Sequence, residues 1–324
     1  METCTITILS KIKDKWWLQE PIIPEGVQWE TARSGEPAKL TFTVVKDETI
    51  AFNEGDEVRF MYGETPVFFG YVFEKKRNKD HHIAVTCYDP TFYFKNKENY
   101  VMTNVRADQI IARAAGDVKI PVGELSNTEY VLKKFAKSDS ALFDVIQDAL
   151  DETMLATGQL YCMYWDFDHL TLKKHQDMIT DCLIDADTAE DFDYTTSIHN
   201  NTFNSIVVKS TSGDNKTEVY TLSDNITIDR WGVLQAVVDK QQGKSLQETA
   251  EIMLRMYNRV GRTFNVNGAL GDIRVRAGSS VFVDLYLGDH TCQQTLLVTR
   301  ATHTFEHGHH FMELTLIDGR GFYG

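Results

Sequence analysis

Apolar and polar residues alternate in the same way in two segments, one near each end of the chain. Each segment opens at a glycine, contains three short apolar strands and closes on an aspartate; the two are residues 55–89 and 278–318. A period of two places the apolar side chains on one face of a strand, and glycine suits the turn before it. We therefore predict two equivalent β units in which Val58 matches Val281, Val85 matches Leu314, and all four point inward. The alternative is chance, because short strand patterns recur easily.

Between these segments the apolar spacing becomes helical. A short helix is predicted over 107–115, ending at Gly116, which is a common type of C-terminal cap. A longer helix is predicted to begin near Ser138 or Asp139, both good N-caps, and to end by Gly158. Its buried face consists of apolar residues at helical spacing, namely Leu142, Val145, Ile146, Ala149 and Leu150.

Further along the chain, a hairpin and a third helix are predicted. Strands at 160–165 and 169–173 flank the turn at 166–168. Strands are also predicted at 203–209 and 218–222. Ser245 and Glu248 form a capping box, so we predict a helix over 245–260 that ends at Gly261.

These elements predict an α+β fold that is mainly β. We expect a first tube-like β-barrel domain at 1–100, an α/β middle domain at 101–200, and a second tube-like β-barrel domain at 201–324. The acidic stretch 181–193 is interpreted as a loop near a domain boundary. Two similar β units in one chain are more typical of a self-associating scaffold than of a catalytic cleft.

Composition and charge narrow the classes of partner. Hydrophobic residues make up 42% of the chain and charged residues 25%. The net charge of −14 disfavours binding to nucleic acid or to anionic lipid, because both are negatively charged. No apolar run approaches the length of a membrane span, and no signal peptide is evident. The cysteines are scattered and odd in number, which indicates reduced thiols in a protein made in the cytoplasm: Cys4, Cys87, Cys162, Cys182 and Cys292.

Four histidines near the C-terminus are the densest candidate for a metal site: His303, His307, His309 and His310. Imidazoles at this density can bind zinc, but their spacing matches no known zinc motif. They flank a turn between two strands, and His81 and His82 occupy the corresponding turn of the first unit. This correspondence favours turn or surface histidines, and we predict no metal site.

No other motif indicates catalysis or a cofactor. The acidic run lacks the glycine and final glutamate of a calcium-binding loop; its members are Asp181, Asp185, Asp187, Glu190, Asp191 and Asp193. No nucleophile elbow, phosphate-binding loop or distinct pair of carboxylates is present. Trp16, Trp17 and the aromatic run 92–94 are interpreted as core or subunit contacts. We predict no catalytic, cofactor-binding or metal residues.

Five blocks of sequence, in this order, resemble the XkdQ/YqbQ-type proteins of PBSX-like phage tails. They are residues 88–101, 140–150, 229–235, 273–281 and 302–305, and the resemblance runs nearly end to end. Two departures are the run Phe92-Tyr93-Phe94, in place of the usual Tyr-Leu pairing, and the histidine-rich turn.

The resemblance implies a structural baseplate hub of a contractile tail or a tail-like bacteriocin. It implies a homotrimer of two-barrel chains that joins the hexameric tail tube to a spike or LysM-type tail protein. Tape-measure and baseplate wedge proteins are further expected partners, and the expected location is the tail baseplate, assembled in the host cytoplasm. The negative charge also predicts an acidic channel wall that cargo does not stick to. The alternatives are a tail-associated peptidoglycan hydrolase and a glycan-binding tail protein.

Overall fold

The computed structural model describes residues 2–24, 26–79, 82–199, 201–211, 217–288 and 291–319. Strands dominate these residues, so the mainly β prediction is confirmed. The first seven strands are Cys4–Ile12 (β1), Lys15–Gln19 (β2), Val27–Ala32 (β3), Lys39–Val45 (β4), Glu57–Tyr62 (β5), Thr65–Arg77 (β6) and His82–Tyr88 (β7). Alternate residues of β4, such as Leu40, Phe42 and Val44, are buried, because one face of the sheet covers a hydrophobic core.

The middle of the chain is an α/β unit that follows a 3-10 helix at Pro90–Lys95. Its elements are Lys97–Val105 (β8), Ala107–Asp117 (α1), Val122–Leu125 (β9), Leu132–Ala141 (β10), Leu142–Thr157 (α2), Tyr161–Asp166 (β11) and His169–Lys174 (β12). The predicted hairpin is confirmed as β11 and β12. A second 3-10 helix, His175–Met178, leads out of this unit.

The start of α2 and the end of α1 differ from the sequence predictions. Ser138 and Asp139 lie in β10, and α2 begins only at Leu142, whose backbone amide donates to the Asn96 carbonyl at 3.0 Å. A strand that runs directly into a helix needs no side-chain cap when another segment accepts its first amide. Gly116 lies inside α1, which continues to Asp117, whereas Gly158 ends α2 in the left-handed conformation as predicted.

The remaining elements are Ile179–Asp185 (β13), Asp191–Ser197 (β14), Ser205–Thr211 (β15), Thr217–Ser223 (β16), Asn225–Trp231 (α3), Gln235–Asp239 (β17), Leu246–Tyr257 (α4), Gly261–Leu270 (β18), Ser280–Tyr286 (β19), Thr291–Glu306 (β20) and His309–Ile317 (β21). The capping box of Ser245 and Glu248 is present at the start of α4. That helix ends at Tyr257, and Gly261 begins a strand instead of ending the helix.

Only the middle of the acidic stretch, residues 186–190, is a loop, so the prediction of a loop over 181–193 is wrong at both ends. Its two ends lie in β13 and β14. In β14 the acidic side chains are exposed, while Phe192 and Tyr194 between them pack around Phe264 of β18. Charged residues are compatible with a strand when they alternate with apolar ones, because the two sets face opposite sides.

Thirteen of the described strands form one large sheet. Its main path is β14-β18-β21-β20-β3-β4-β7-β6-β5-β1-β2, and β13 and β19 attach beside β20. β13 and β14 fall within the segment predicted as the middle domain, yet they pair in this sheet. Between β14 and β18 the chain forms a small separate unit, in which α4 packs on the sheet of β15, β16 and β17.

The two ends of the chain form equivalent units. β3, β4, β5, β6 and β7 pair with one another as β14, β18, β19, β20 and β21 do. Both units have a register shift at the same place, after Val72 in β6 and after Val298 in β20. One difference is that β13 is parallel to β19, whereas β1 is antiparallel to β5.

The predicted matched residues occupy equivalent positions. Val58 pairs with Gly70 and Val281 with Leu296, at the same level of the two units. Val58, Val85, Val281 and Leu314 are all at most 2% exposed, so the prediction that they point inward is confirmed. Strand pairing among the described residues leaves both units open, and the closed barrels stay a prediction.

Candidate assembly surface

The two units are joined edge to edge within the chain. β20 pairs antiparallel with β3, from Arg300 opposite Ala32 to Phe305 opposite Val27. The first half of β20 pairs with β19, so β3 occupies the part of the same edge that β19 leaves open. The sheet therefore passes from one unit to the next through backbone hydrogen bonds.

His303 lies buried at this join and has structural partners. Its Nε2 donates to the Val275 carbonyl at 2.7 Å, so its Nδ1 accepts from His310 Nε2 at 2.8 Å. Its ring also packs on Trp29, with 4.9 Å between centroids. The structure thus brings His303 and His310 together, whereas His307 and His309 are exposed at the turn.

Neither sequence candidate for a metal site forms a ligand set. In the part of the chain that the structure describes, no group of three or more metal-ligating side chains converges. In the acidic run, Asp181 forms an ion pair with Arg274, and Asp185 accepts from the Thr188 hydroxyl. His82 begins β7, and His81 lies outside the described residues.

Burial changes the proton affinity of the groups near the join. Burial lowers the pKa of His303 to about 3, and burial lowers the pKa of His310 to about 4. Burial raises the pKa of Asp89 to about 6, although this carboxylate accepts hydrogen bonds from Thr91 and from the Ala38 amide. Both imidazoles are therefore neutral at pH 7.

We expect His310→Gln to make the protein less sensitive to acid. An unfolded imidazole protonates near pH 6.5, well above the folded pKa, so unfolding takes up protons and stability falls as the pH drops below that value. Asp89 has the opposite effect on the pH dependence of stability, because burial raises its pKa in the folded state. It is present in all the proteins compared, so its effect cancels in the comparison. Between pH 7 and pH 5, the free energy of unfolding in urea should fall by about 1–2 kcal/mol more in the wild type than in the variant.

The matched control for that measurement is His309→Gln, since His309 is exposed in the same strand. It should follow the wild type at both pH values. Equal losses of stability in all three proteins would show that His310 does not couple folding to pH.

The middle unit is fixed to the second unit around Gly278. The carbonyl of Gly278 accepts from His175 Nδ1 at 2.7 Å, and His175 Nε2 bonds to the Ser280 hydroxyl at 2.9 Å. The guanidinium of Arg276 stacks on Tyr164 at 3.9 Å from the ring centroid and donates to the Trp165 carbonyl. These contacts hold the α/β unit against the join of the two sheet units.

Several strand edges of the large sheet lack a partner strand among the described residues, and β14 and β6 each have one of them. β14 pairs only with β18, which leaves its other edge open. β6 pairs with β5 through its first half and with β7 through its second half. The edge of Glu74–Arg77 that faces away from β7 therefore has no partner strand there.

The face of the sheet opposite the core carries many threonine side chains. Rows of partly exposed threonines cross both units: Thr41, Thr43, Thr86, Thr302, Thr304 and Thr315. Among them Lys39 and Glu30 form an ion pair at 2.6 Å. We call this surface the threonine face; charged residues of both signs lie among the threonines, with Arg300 opposite Thr315 and Glu313 opposite Thr302.

A hairpin of β1 and β2 exposes a cluster of large apolar side chains. Trp16 is 64% exposed, Trp17 54% and Leu18 68%. They follow one another in β2, which lies at the end of the sheet path. We call residues 15–19 the aromatic arm; its exposure is inconsistent with a core role and leaves the subunit contact that was the other interpretation of this pair.

The overall fold is that of phage tail proteins. It resembles the 43 kDa tail protein of prophage MuSo2 from Shewanella oneidensis with a TM-score of 0.70 and 9% identity, over 99% of this chain and 100% of that chain. It also resembles the E. coli c3393 protein, a type VI secretion component described as similar to T4 tail proteins gp27 and gp5. That match has a TM-score of 0.55 and 11% identity, over 94% of this chain and 76% of that one.

The chain belongs to the YqbQ-like family, whose model matches residues 27–317. It is 30% identical over 317 residues to the XkdQ protein of the phage-like element PBSX of Bacillus subtilis, covering 95% of both chains. The family predicted from the sequence blocks is thereby confirmed. In the described residues no helix is long and apolar enough to cross a membrane.

Proposed function

We propose that this protein is a structural baseplate hub, which joins a hexameric tail tube to a central spike. The observation that supports this role is the pair of register-matched units in one chain. Each unit offers a similar surface to a neighbouring ring, so one chain can serve two subunits of a six-fold tube.

A trimer is the assembly that resolves the difference in symmetry. Three chains provide six similar units toward the tube and three identical surfaces toward a three-fold spike. Closed cyclic symmetry forms a ring with a central channel, in which each chain contacts its neighbours by the same two surfaces. Closure of the ring would bring the open strand edges of each chain beside those of its neighbours.

The threonine face is suited to line such a channel. Short, uncharged hydroxyl side chains cannot form strong ion pairs with a passing chain or with phosphate groups. We propose that this surface lets a tape-measure protein or nucleic acid slide. In this proposal the rows of hydroxyl groups separate the charged residues of the wall, among which Glu30 and Lys39 form an ion pair.

The aromatic arm is proposed to bury its side chains against the tail tube protein. Exposed tryptophans at this density are costly to leave in water and are enriched at protein interfaces. The similar fold of the E. coli c3393 protein, a type VI secretion component described as similar to T4 tail proteins gp27 and gp5, supports a place in a tail-like assembly.

The test is whether the full-length protein caps tubes assembled from the tail tube protein of the same particle. Negative-stain images should show extra density at one end of each tube, and Trp16→Ser combined with Trp17→Ser should abolish it. Substitution of an exposed residue remote from the arm, such as Thr221→Ser, serves as the control. Tubes that stay bare with the wild type, or cell-wall hydrolysis by the pure protein, would contradict a purely structural hub.

A further inference from the structure

We propose that neighbouring copies of this chain join by pairing β14 of one copy with the open half of β6 of the next. The large sheet would then continue across each subunit boundary. The number of copies in the ring rests on the proposed hub function, whereas the choice of strands rests on the geometry of a single chain.

The internal join shows which edges fit together. β20 pairs with β19 through its first half, and its second half pairs with β3 along the same edge. β6 is the equivalent of β20: its first half pairs with β5 in the same way, and its second half lacks a partner on that edge within the described residues. The first unit thus has an open edge on β6, whereas the equivalent edge on β20 of the second unit is already paired with β3.

β14 is the equivalent of β3. Asp193 of β14 lies opposite Asn265, as Gln28 of β3 lies opposite Thr41. The far edge of β3 pairs with β20, whereas the far edge of β14 is open among the described residues. One chain therefore has one free edge of each kind, at opposite ends of the repeated part of the sheet, which is the requirement for head-to-tail assembly.

The matched registers specify the residues that meet. After the shared register shift, Glu74 pairs with Thr86 as Arg300 pairs with Thr315. By these registers, Lys76 is the equivalent of Thr302, and Thr195 is the equivalent of Glu30. Because Thr302 lies opposite Glu30 at the internal join, Lys76 is expected opposite Thr195 of the next copy. Lys75 is expected opposite Thr196, on the other face of the sheet.

Charge supports this pairing. Lys76 and Arg77 are exposed on β6, and Asp191 and Asp193 are exposed on β14. In the expected register Lys76 lies diagonal to Asp193, within reach of a cross-strand ion pair. For chains with a net charge of −14, a basic edge that meets an acidic edge also offsets the general repulsion between copies.

Oxidative cross-linking of the full-length double variant Lys76→Cys/Thr195→Cys tests the pairing. Directly opposite residues of antiparallel strands have Cα atoms about 4.5–5.5 Å apart, which permits a disulfide bond. Mild oxidation traps even transient pairs, so we expect a disulfide between chains and products of two and three chains on non-reducing gels. Oxidised wild type defines the background from the native cysteines.

The matched control is Lys76→Cys/Thr196→Cys. Thr196 is the next residue along β14, and its side chain points to the opposite face of the sheet. This variant should cross-link no more than the wild type. Equal cross-linking of the two double variants would overturn the proposed register.

Native mass measurement of the wild type on the assembled tube separates this inference from the hub function. A three-chain ring without the specific cross-link would overturn the strand pairing and leave the hub function standing. Specific cross-linking into products longer than three chains would support the pairing and contradict the trimer. Absence of both the cross-link and any self-association would overturn the pairing and remove support for the trimeric hub.

Discussion

Gly278→Ala is expected to destabilise the protein strongly, by about 2–5 kcal/mol. Gly278 has φ +96°, a conformation that a side chain disfavours, and a methyl group there would lie 2.9 Å from Cys162 Cβ. Cys162 is buried and its Sγ donates to the Gly278 carbonyl, so it cannot withdraw without loss of contacts. The free energy of unfolding in urea measures the effect.

Gly55→Ala is the matched control for this substitution. Gly55 occupies the equivalent position, with φ +89°, and its amide bonds to Val72 O as that of Gly278 bonds to Val298 O. No atom lies within 4 Å of a methyl group added to Gly55. The free energy of unfolding of Gly55→Ala should fall only by the cost of a positive φ for a residue with a side chain, about 1–3 kcal/mol. Equal losses at both glycines would show that contact with Cys162 adds nothing.

Leu142→Ala is expected to lower the free energy of unfolding by about 2–5 kcal/mol. Leu142 begins α2 and is fully buried in the core of the middle unit, with Val145, Ile146 and Leu150 on the same face. Truncation removes its buried surface and leaves a cavity that the packed neighbours fill only partly. Thermal melting should show the loss as a lower midpoint.

Glu152→Ala serves as the control, because Glu152 lies on the exposed side of the same helix. Its midpoint should change little, since surface substitutions are usually within about 0.5 kcal/mol. If both variants melt at the wild-type temperature, the stripe that begins at Leu142 is not a core face.

The repeat could be predicted from the sequence because its signal is local. Gly55 and Gly278 each precede a strand whose alternate apolar residues are buried, and the matching strands at 82–88 and 309–317 follow within about forty residues. The same logic identified α4, since its capping box lies within one turn. Such patterns depend only on neighbouring residues.

The equivalence of β3 and β14 could not be seen so easily. β3 and β4 are close in sequence, whereas the small unit of β15–β17 separates β14 from β18. The acidic residues of β14 also masked the alternation of Phe192 and Tyr194, which is its one local signal. The open edges depend on pairing between distant strands, so only the structure brings them into view.

A reconstruction of the assembled tail would test the central claim most directly. We predict three copies of this chain at the end of the tube next to the spike, with their six units arranged around the channel. First and second units should alternate around the ring, with one of each from every copy. Six copies or one copy at that position, or a ring in which the two units of a chain do not occupy neighbouring positions, would contradict the proposed hub.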